Sequence, residues 1–198
     1  MKLDKEVKPD FLILDGQQRI ISLYQTIVTN EVVTTRNEKN YKIKRWYYID
    51  MVKAMDNNYD LEEAIVSVNE NKQITEDFGR RIILVLSSKE LEFKNLMYPV
   101  CMIDDYSVWR REFNKYWQHD SDKIIFWDKF EDRIINSFNK YILPVIIMKK
   151  ENPKEAVCQV FEKVNTGGVP LNVFELLTES FAAEDFDLKQ DWQKSLRV

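Results

Sequence analysis

Asp10-Phe11-Leu12-Ile13-Leu14-Asp15-Gly16-Gln17-Gln18-Arg19 is the stretch from which the rest of the chain is read. A short apolar run, residues 10–14, ends at an Asp-Gly turn signal and reads as a buried strand. Beyond the glycine, Ile20, Ile21, Leu23, Tyr24, Ile27 and Val28 recur at helical spacing, which predicts a helix from Gln17 to Thr29 with Asn30 as its stop. A strand that breaks sharply into a helix presents first-turn N–H groups that lack intrahelical partners and carry about half a positive charge in sum. Such an end favours phosphate oxygens. Gly16 permits close approach and positive φ, and Arg19 offers a planar fork of donors suited to phosphate. Gln17 and Gln18 add amide donors and acceptors. Asp15 is placed to orient Arg19, to hold a metal-bound water or to act as a base. The same residues also read as an ordinary strand–helix junction in which Asp15 caps the helix and the glutamines are solvated surface.

Outward from this turn, residues 32–40 are polar and read as a loop. Arg45 to Ile49 lies in an aromatic, β-branched segment and reads as a strand. Residues 51–90 are the least legible. The short apolar runs 65–68 and 82–86 fit strands or helix pieces equally. Ser88 looks like a helix start. Two helices are expected over 106–117 and 122–141, the second with Ile124, Ile125, Trp127, Phe130, Ile134, Ile135 and Phe138 on one broad face. Residues 142–148 read as a strand with Pro144 near its start. Pro153 opens a helix to about Val164, ended by Gly167 and Gly168. Asn172 and Glu175 resemble an N-cap pair for a last helix.

The 198 residues suit one domain of generous size, or one domain plus a partial second one. Hydrophobic residues make up 44% and charged residues 31%, ordinary for a globular protein. With only four glycines and five prolines, neither disorder nor a turn-rich all-β fold is indicated. Helices dominate with dispersed strands, so the class is α+β, with residues 100–140 a helical insertion or subdomain. The net charge of −4 confines any nucleic-acid contact to a local patch. Arg80-Arg81 and Arg110-Arg111 are candidate basic spots, each also readable as salt-bridged surface. Cys101 and Cys158 form no CxxC pair, which speaks against a zinc site or a disulfide framework. The single histidine, His119, sits in a solvated loop, so a His-based metal or HNH-type nuclease site within the chain is not expected. Asp104-Asp105 could hold Mg²⁺ through oxygens, but fits a helix start better. Trp109, Trp117 and Trp127 read as core. No apolar run long enough to cross a membrane and no signal peptide stand out, and a cytoplasmic location is the expectation.

A second polar cluster, Asn165-Thr166-Gly167-Gly168-Val169-Pro170, joins two apolar helices. It reads as a helix C-cap and loop, or as a clamp whose glycine N–H groups form an anion-binding nest. The two segments together carry a resemblance. Leu14-Asp15-Gly16-Gln17-Gln18-Arg19-Ile20 resembles the DGQQR hallmark of the GmrSD-type restriction endonuclease N-terminal domain family. Val160-Phe161-Glu162-Lys163-Val164-Asn165-Thr166-Gly167-Gly168-Val169-Pro170-Leu171 resembles that family's second signature. The resemblance implies a ParB/sulfiredoxin-like fold, a small mixed sheet with packed helices, in which the strand–turn–helix motif contacts nucleotide phosphates.

It further implies a regulatory domain of a bacterial restriction or anti-phage defence protein that binds, and hydrolyses, a nucleoside triphosphate with Mg²⁺ and controls a nuclease domain or subunit. The alternative is a non-catalytic module that senses nucleotide or DNA phosphate. Asp15 and Arg19 become the expected catalytic residues. Gly16, Gln17, Gln18, Arg19, Asn165, Thr166, Gly167 and Gly168 become the expected nucleotide site, and DNA an expected partner through a local basic patch. The family's usual leading segment with a Gln-Arg pair is not seen before residue 10, and no HNH-like histidine-rich motif follows the second signature. The expectation is therefore a single domain over 1–198, shortened at its start and lacking the nuclease domain.

Overall fold

The computed structural model describes Phe11, Ile13, residues 16–149 and 151–153, Ala156 and Val160. The chain divides into two units, Met1–Leu14 with Leu143–Val198, and Asp15–Ile142. The elements named here all lie in the second. They run α1 (Gln17–Ile27), β1 (Val33–Arg36), β2 (Lys42–Asp50), α2 (Met51–Met55), β3 (Ile65–Asn69), β4 (Gln73–Glu76), β5 (Arg81–Val85), α3 (Lys89–Lys94), β6 (Met97–Pro99), α4 (Tyr106–Tyr116), α5 (Ser121–Phe130) and α6 (Asn136–Asn139). The class is α+β, as the sequence implies.

β2 organises the sheet. It pairs antiparallel with β1 (Val33 opposite Arg45, Arg36 opposite Lys42), with β3 (Arg45 opposite Asn69, Ile49 opposite Ile65) and with β6 (Tyr48 opposite Pro99). β4 and β5 form a separate antiparallel pair with an irregularity between Ile74 and Thr75. β1 corrects the expected loop over 32–40. Val33-Thr34-Thr35 is β-branched and suited to a pleated strand, but two of its three side chains are polar and hide the signal. The turn after it is built by Asn37, whose Oδ1 accepts from the N–H groups of Lys39 and Tyr41, and by Asn40 at φ 64°. Asparagine tolerates that left-handed backbone better than most residues. The ambiguous runs 65–68 and 82–86 resolve as β3 and β5.

The helices begin where cap chemistry directs. Asp50 Oδ1 accepts from the N–H groups of Val52 and Lys53, Ser88 Oγ from that of Leu91 and an Asp120 carboxylate oxygen from that of Lys123. The helix expected over 122–141 is present but not uniform. Residues Glu131–Ile135 form a π-helical turn between α5 and α6, with the Asn136 N–H reaching back to the Glu131 carbonyl. Ile125 and Phe138 lie exposed, off the buried stripe.

The larger core gathers β2, α2 to α5 and the π turn around Trp109 and Trp127. Trp109 stacks on Phe113 and on Trp127, both at 5.2 Å between centroids, and meets Phe93 edge-on at 4.8 Å. Arg110 adds a fork across α4 and α5, giving Nη2 to Asp128 at 2.7 Å and Nη1 to Glu131 at 3.0 Å. A smaller core holds Tyr48, Val68, Leu86 and Met97 between the sheet and the β4–β5 pair.

Two expected strands are not found where they are described. Phe11 and Ile13 belong to no strand and are 73% and 49% exposed, against the expected buried strand, and Asp10, Leu12 and Leu14 lie outside the described residues. Residues 142–148 take no strand pairing among the described residues, and Ile142, Val145, Ile146 and Ile147 are exposed. An apolar run records hydrophobicity but not the neighbour that would pair with it. Ala156 and Val160 are helical, as expected after Pro153, and the remainder of that helix and the capped helix after Asn172 lie outside the described residues.

Candidate functional site

Gly16 occupies the N-cap of α1 at φ 83° and ψ 5°, the left-handed region in which glycine is at ease. The cap therefore falls on Gly16 rather than on Asp15, and Gly16 has no side chain with which to cap. The Ile20 N–H closes the first helical bond on the Gly16 carbonyl at 3.0 Å. The first turn that follows is Gln17, Gln18 and Arg19, with no acidic residue in it. Helix N-termini ordinarily favour acidic side chains by about 0.3–1 kcal/mol each, and a cation there is disfavoured by a similar amount. Arg19 is that cation. Its guanidinium folds back over the glycine: a Cβ on Gly16 would stand 3.6 Å from Nη2 and 3.7 Å from Nε. The Arg19 guanidinium thus lies beside a backbone position without a side chain, at the N-terminal end of α1. α1 buries none of its side chains and touches the turn Val100–Met102.

Of the residues expected in the site, the structure brings together Gly16, Gln17, Gln18 and Arg19. Both glutamines are exposed. Asp15, Asn165, Thr166, Gly167 and Gly168 lie outside the described residues. Asp104 and Asp105 are exposed, and Asp105 stands at the N-cap of α4 without a side-chain cap bond. Among the described residues no group of three or more His, Cys, Asp or Glu side chains is placed to hold a metal ion. His119 is exposed in a turn at φ 58°. Arg81 is paired with Glu76 and Asp77, and Arg110 with Asp128 and Glu131, so the salt-bridged reading holds for one arginine of each pair.

Sequence reasoning missed a second polar centre. Glu92, on α3, is 4% exposed and lies between the two cores. Its Oε1 accepts from the Tyr48 hydroxyl at 2.9 Å and from Lys72 Nζ at 3.5 Å, and its Oε2 from Trp109 Nε1 at 3.5 Å. Lys72 Nζ also stands 4.9 Å from the centroid of the Trp46 ring. Burial pushes the Glu92 carboxyl above its ordinary value, and the charge of Lys72 with the bonds from Tyr48 and Trp109 oppose that rise without cancelling it. Burial and the adjacent Glu92 also hold the Tyr48 phenol well above its usual range. The half-buried Cys101 thiol is raised by burial. These groups tie strand, hairpin and two helices together. The only local signal was a glutamate between Leu91 and Phe93, and burial of that position is set by residues far away in sequence.

Beside this turn at Gly16 and Arg19 stands the comparison with known families. The sequence pattern of the GmrSD restriction endonuclease, N-terminal domain, matches residues 2–182. The chain belongs to that family. An uncharacterized protein of Methanocaldococcus jannaschii is 21% identical over 201 residues, covering 95% of this chain and 30% of that protein. The GmrSD-type chain thus spans under a third of the length of the curated relative it matches. No solved structure matches it. Among the described residues no helix is long and apolar enough to cross a membrane.

Proposed function

We propose that this GmrSD-type domain is the nucleotide-binding, NTP-hydrolysing regulatory part of a restriction or anti-phage defence protein that acts in the bacterial cytoplasm. The observation that carries the proposal is the Arg19 guanidinium folded over left-handed Gly16 at the start of α1. In this reading the N–H groups of the first turn and Arg19 hold phosphate oxygens, and Gln17 and Gln18 bond to the remaining ones. Asp15 orients Arg19 or the attacking water. From their sequence signature, Asn165, Thr166, Gly167 and Gly168 are assigned a further phosphate-binding role. Positioning and charge stabilisation carry most of the catalysis of phosphoryl transfer. Mg²⁺ enters as the counter-ion of the triphosphate, held largely by phosphate oxygens, as is usual for this ion. A nuclease domain or subunit is the partner whose cutting is controlled.

The test is titration of nucleoside triphosphates with Mg²⁺ against the wild type and Arg19→Ala, with phosphate release followed in parallel. Loss of one charge-assisted phosphate bond costs about 1.5–3 kcal/mol, roughly 10- to 150-fold in affinity. Unchanged affinity in Arg19→Ala would overturn the assignment. Tight binding with no phosphate release would replace hydrolysis with sensing.

A further inference from the structure

The chain carries a net charge of −4, yet its β1–β2 hairpin is basic. Between residues 36 and 45 stand Arg36, Lys39, Lys42, Lys44 and Arg45 against one acid, Glu38. Off the hairpin, four basic side chains are drawn into ion pairs among the described residues: Arg81 with Glu76 and Asp77, Lys89 with Glu112, Arg110 with Asp128 and Glu131, and Lys72 with Glu92, while others such as Lys94 and Lys129 stand exposed and scattered rather than clustered. On the hairpin, among the described residues, only Lys44 pairs with a carboxylate, Glu70 at 3.4 Å, and both side chains of that pair are more than half exposed.

The topology makes this charge reachable. β3 pairs with β2 only as far as Arg45 opposite Asn69, whereas β1 continues to Arg36 opposite Lys42. The hairpin therefore runs on past the end of β3 as a two-stranded ribbon. Residues opposite each other share a face and alternate residues return to it, so Arg36, Lys42 and Lys44 line one side. Strand geometry sets Lys42 and Lys44 about 7 Å apart. The tip is held in shape by Asn37, by Arg36 Nη1 donating to the Asn40 carbonyl and Oδ1, and it carries Lys39 and an exposed Tyr41. A ribbon of this width fits the major groove of B-DNA, about 12 Å across.

We infer that the β1–β2 ribbon is a contact surface for the phosphate backbone of duplex DNA, with Arg36, Lys39, Lys42 and Lys44 as its cations. The inference rests on the membership in a restriction-system family, but not on the nucleotide site proposed at Gly16 and Arg19. Contacts of this kind position a protein on DNA without reading its sequence.

The experiment measures binding of the chain to a labelled random-sequence duplex across a salt series. Lys39→Gln with Lys42→Gln is compared with Lys94→Gln with Lys129→Gln, an equal loss of charge on exposed lysines of α3 and α5. Each lost phosphate contact lowers the slope of log affinity against log salt by about 0.9. The ribbon variant is expected to lose about 1.8 from the slope and the control variant nothing. Equal slopes in wild type and ribbon variant, an equal loss in the control, or no binding of the wild type at low salt overturns the proposal. Tighter binding to duplex RNA or to single strands overturns the choice of duplex DNA. Arg19→Ala leaves the slope unchanged while weakening nucleotide binding, so failure of either proposal is seen separately.

Discussion

Helix α1 and the α4–α5 pair are both amphipathic in sequence, and they are used in opposite ways. α4 and α5 seal Trp109, Phe113, Trp127 and Phe130 from water. α1 is just as regular, with Ile20, Ile21, Leu23, Tyr24 and Val28 along it, yet none of its side chains is buried. One region is held by packing. The other touches the turn Val100–Met102 but seals no side chain from water, and it begins at Gly16, Gln17, Gln18 and Arg19. The difference teaches that helical periodicity reports a face able to be covered, while covering is a property of the neighbours.

The sharpest way to break the comparison is mutation of each region's apolar residues. Trp127→Ala is expected to lower unfolding free energy by about 3–5 kcal/mol in urea melts. Leu23→Ala, already about half exposed, should cost under about 1 kcal/mol. A large loss at Leu23 would mean that α1 is covered in solution. Glu92→Ala comes next. It leaves the donors of Tyr48 and Trp109 without an acceptor in the core, a cost of about 1–3 kcal/mol in the same melts.

The pH dependence sharpens the role of Glu92. Its carboxyl is raised in the folded state, so the native protein binds more protons than the unfolded chain above the ordinary glutamate value of about 4.3. Its contribution to stability is therefore present below that pH and is lost as pH rises through the folded value. Glu92→Gln should flatten that fall in melting temperature against pH. An identical profile would mean the carboxyl is not desolvated. The smallest effect is expected at the surface. His119 holds a left-handed backbone that suits glycine, so His119→Gly should gain about 0.5–1 kcal/mol after the entropic cost of glycine.

What was legible in the sequence followed locality. Ser88 and the helix spans 106–117 and 122–141 were readable because cap residues and apolar spacing act within a few positions. The turn at Gly16 was readable for the same reason, and the pairing of its motif with the Asn165 cluster identified the family. β1 was missed because its threonines read as loop when β2 is not considered. The run 142–148 shows no strand pairing among the described residues: β-branched residues state a preference, whereas a strand needs a partner. Glu92 was invisible because its burial is created by Tyr48, Lys72 and Trp109, drawn from three distant segments.

The π turn at Glu131–Ile135 has a consequence for how this helix tolerates change in length. A π turn fits one residue more than a regular helix into the same span. At this point the chain holds a spare position, at the exposed Asp132, while Ile135 remains fully buried beyond it. Removing one residue here lets the backbone relax to ordinary α geometry with both flanks still in register. The same deletion within α4 would turn the following side chains by about 100° and unseat the tryptophan stack. A one-residue deletion in this stretch is thus absorbed at a single joint.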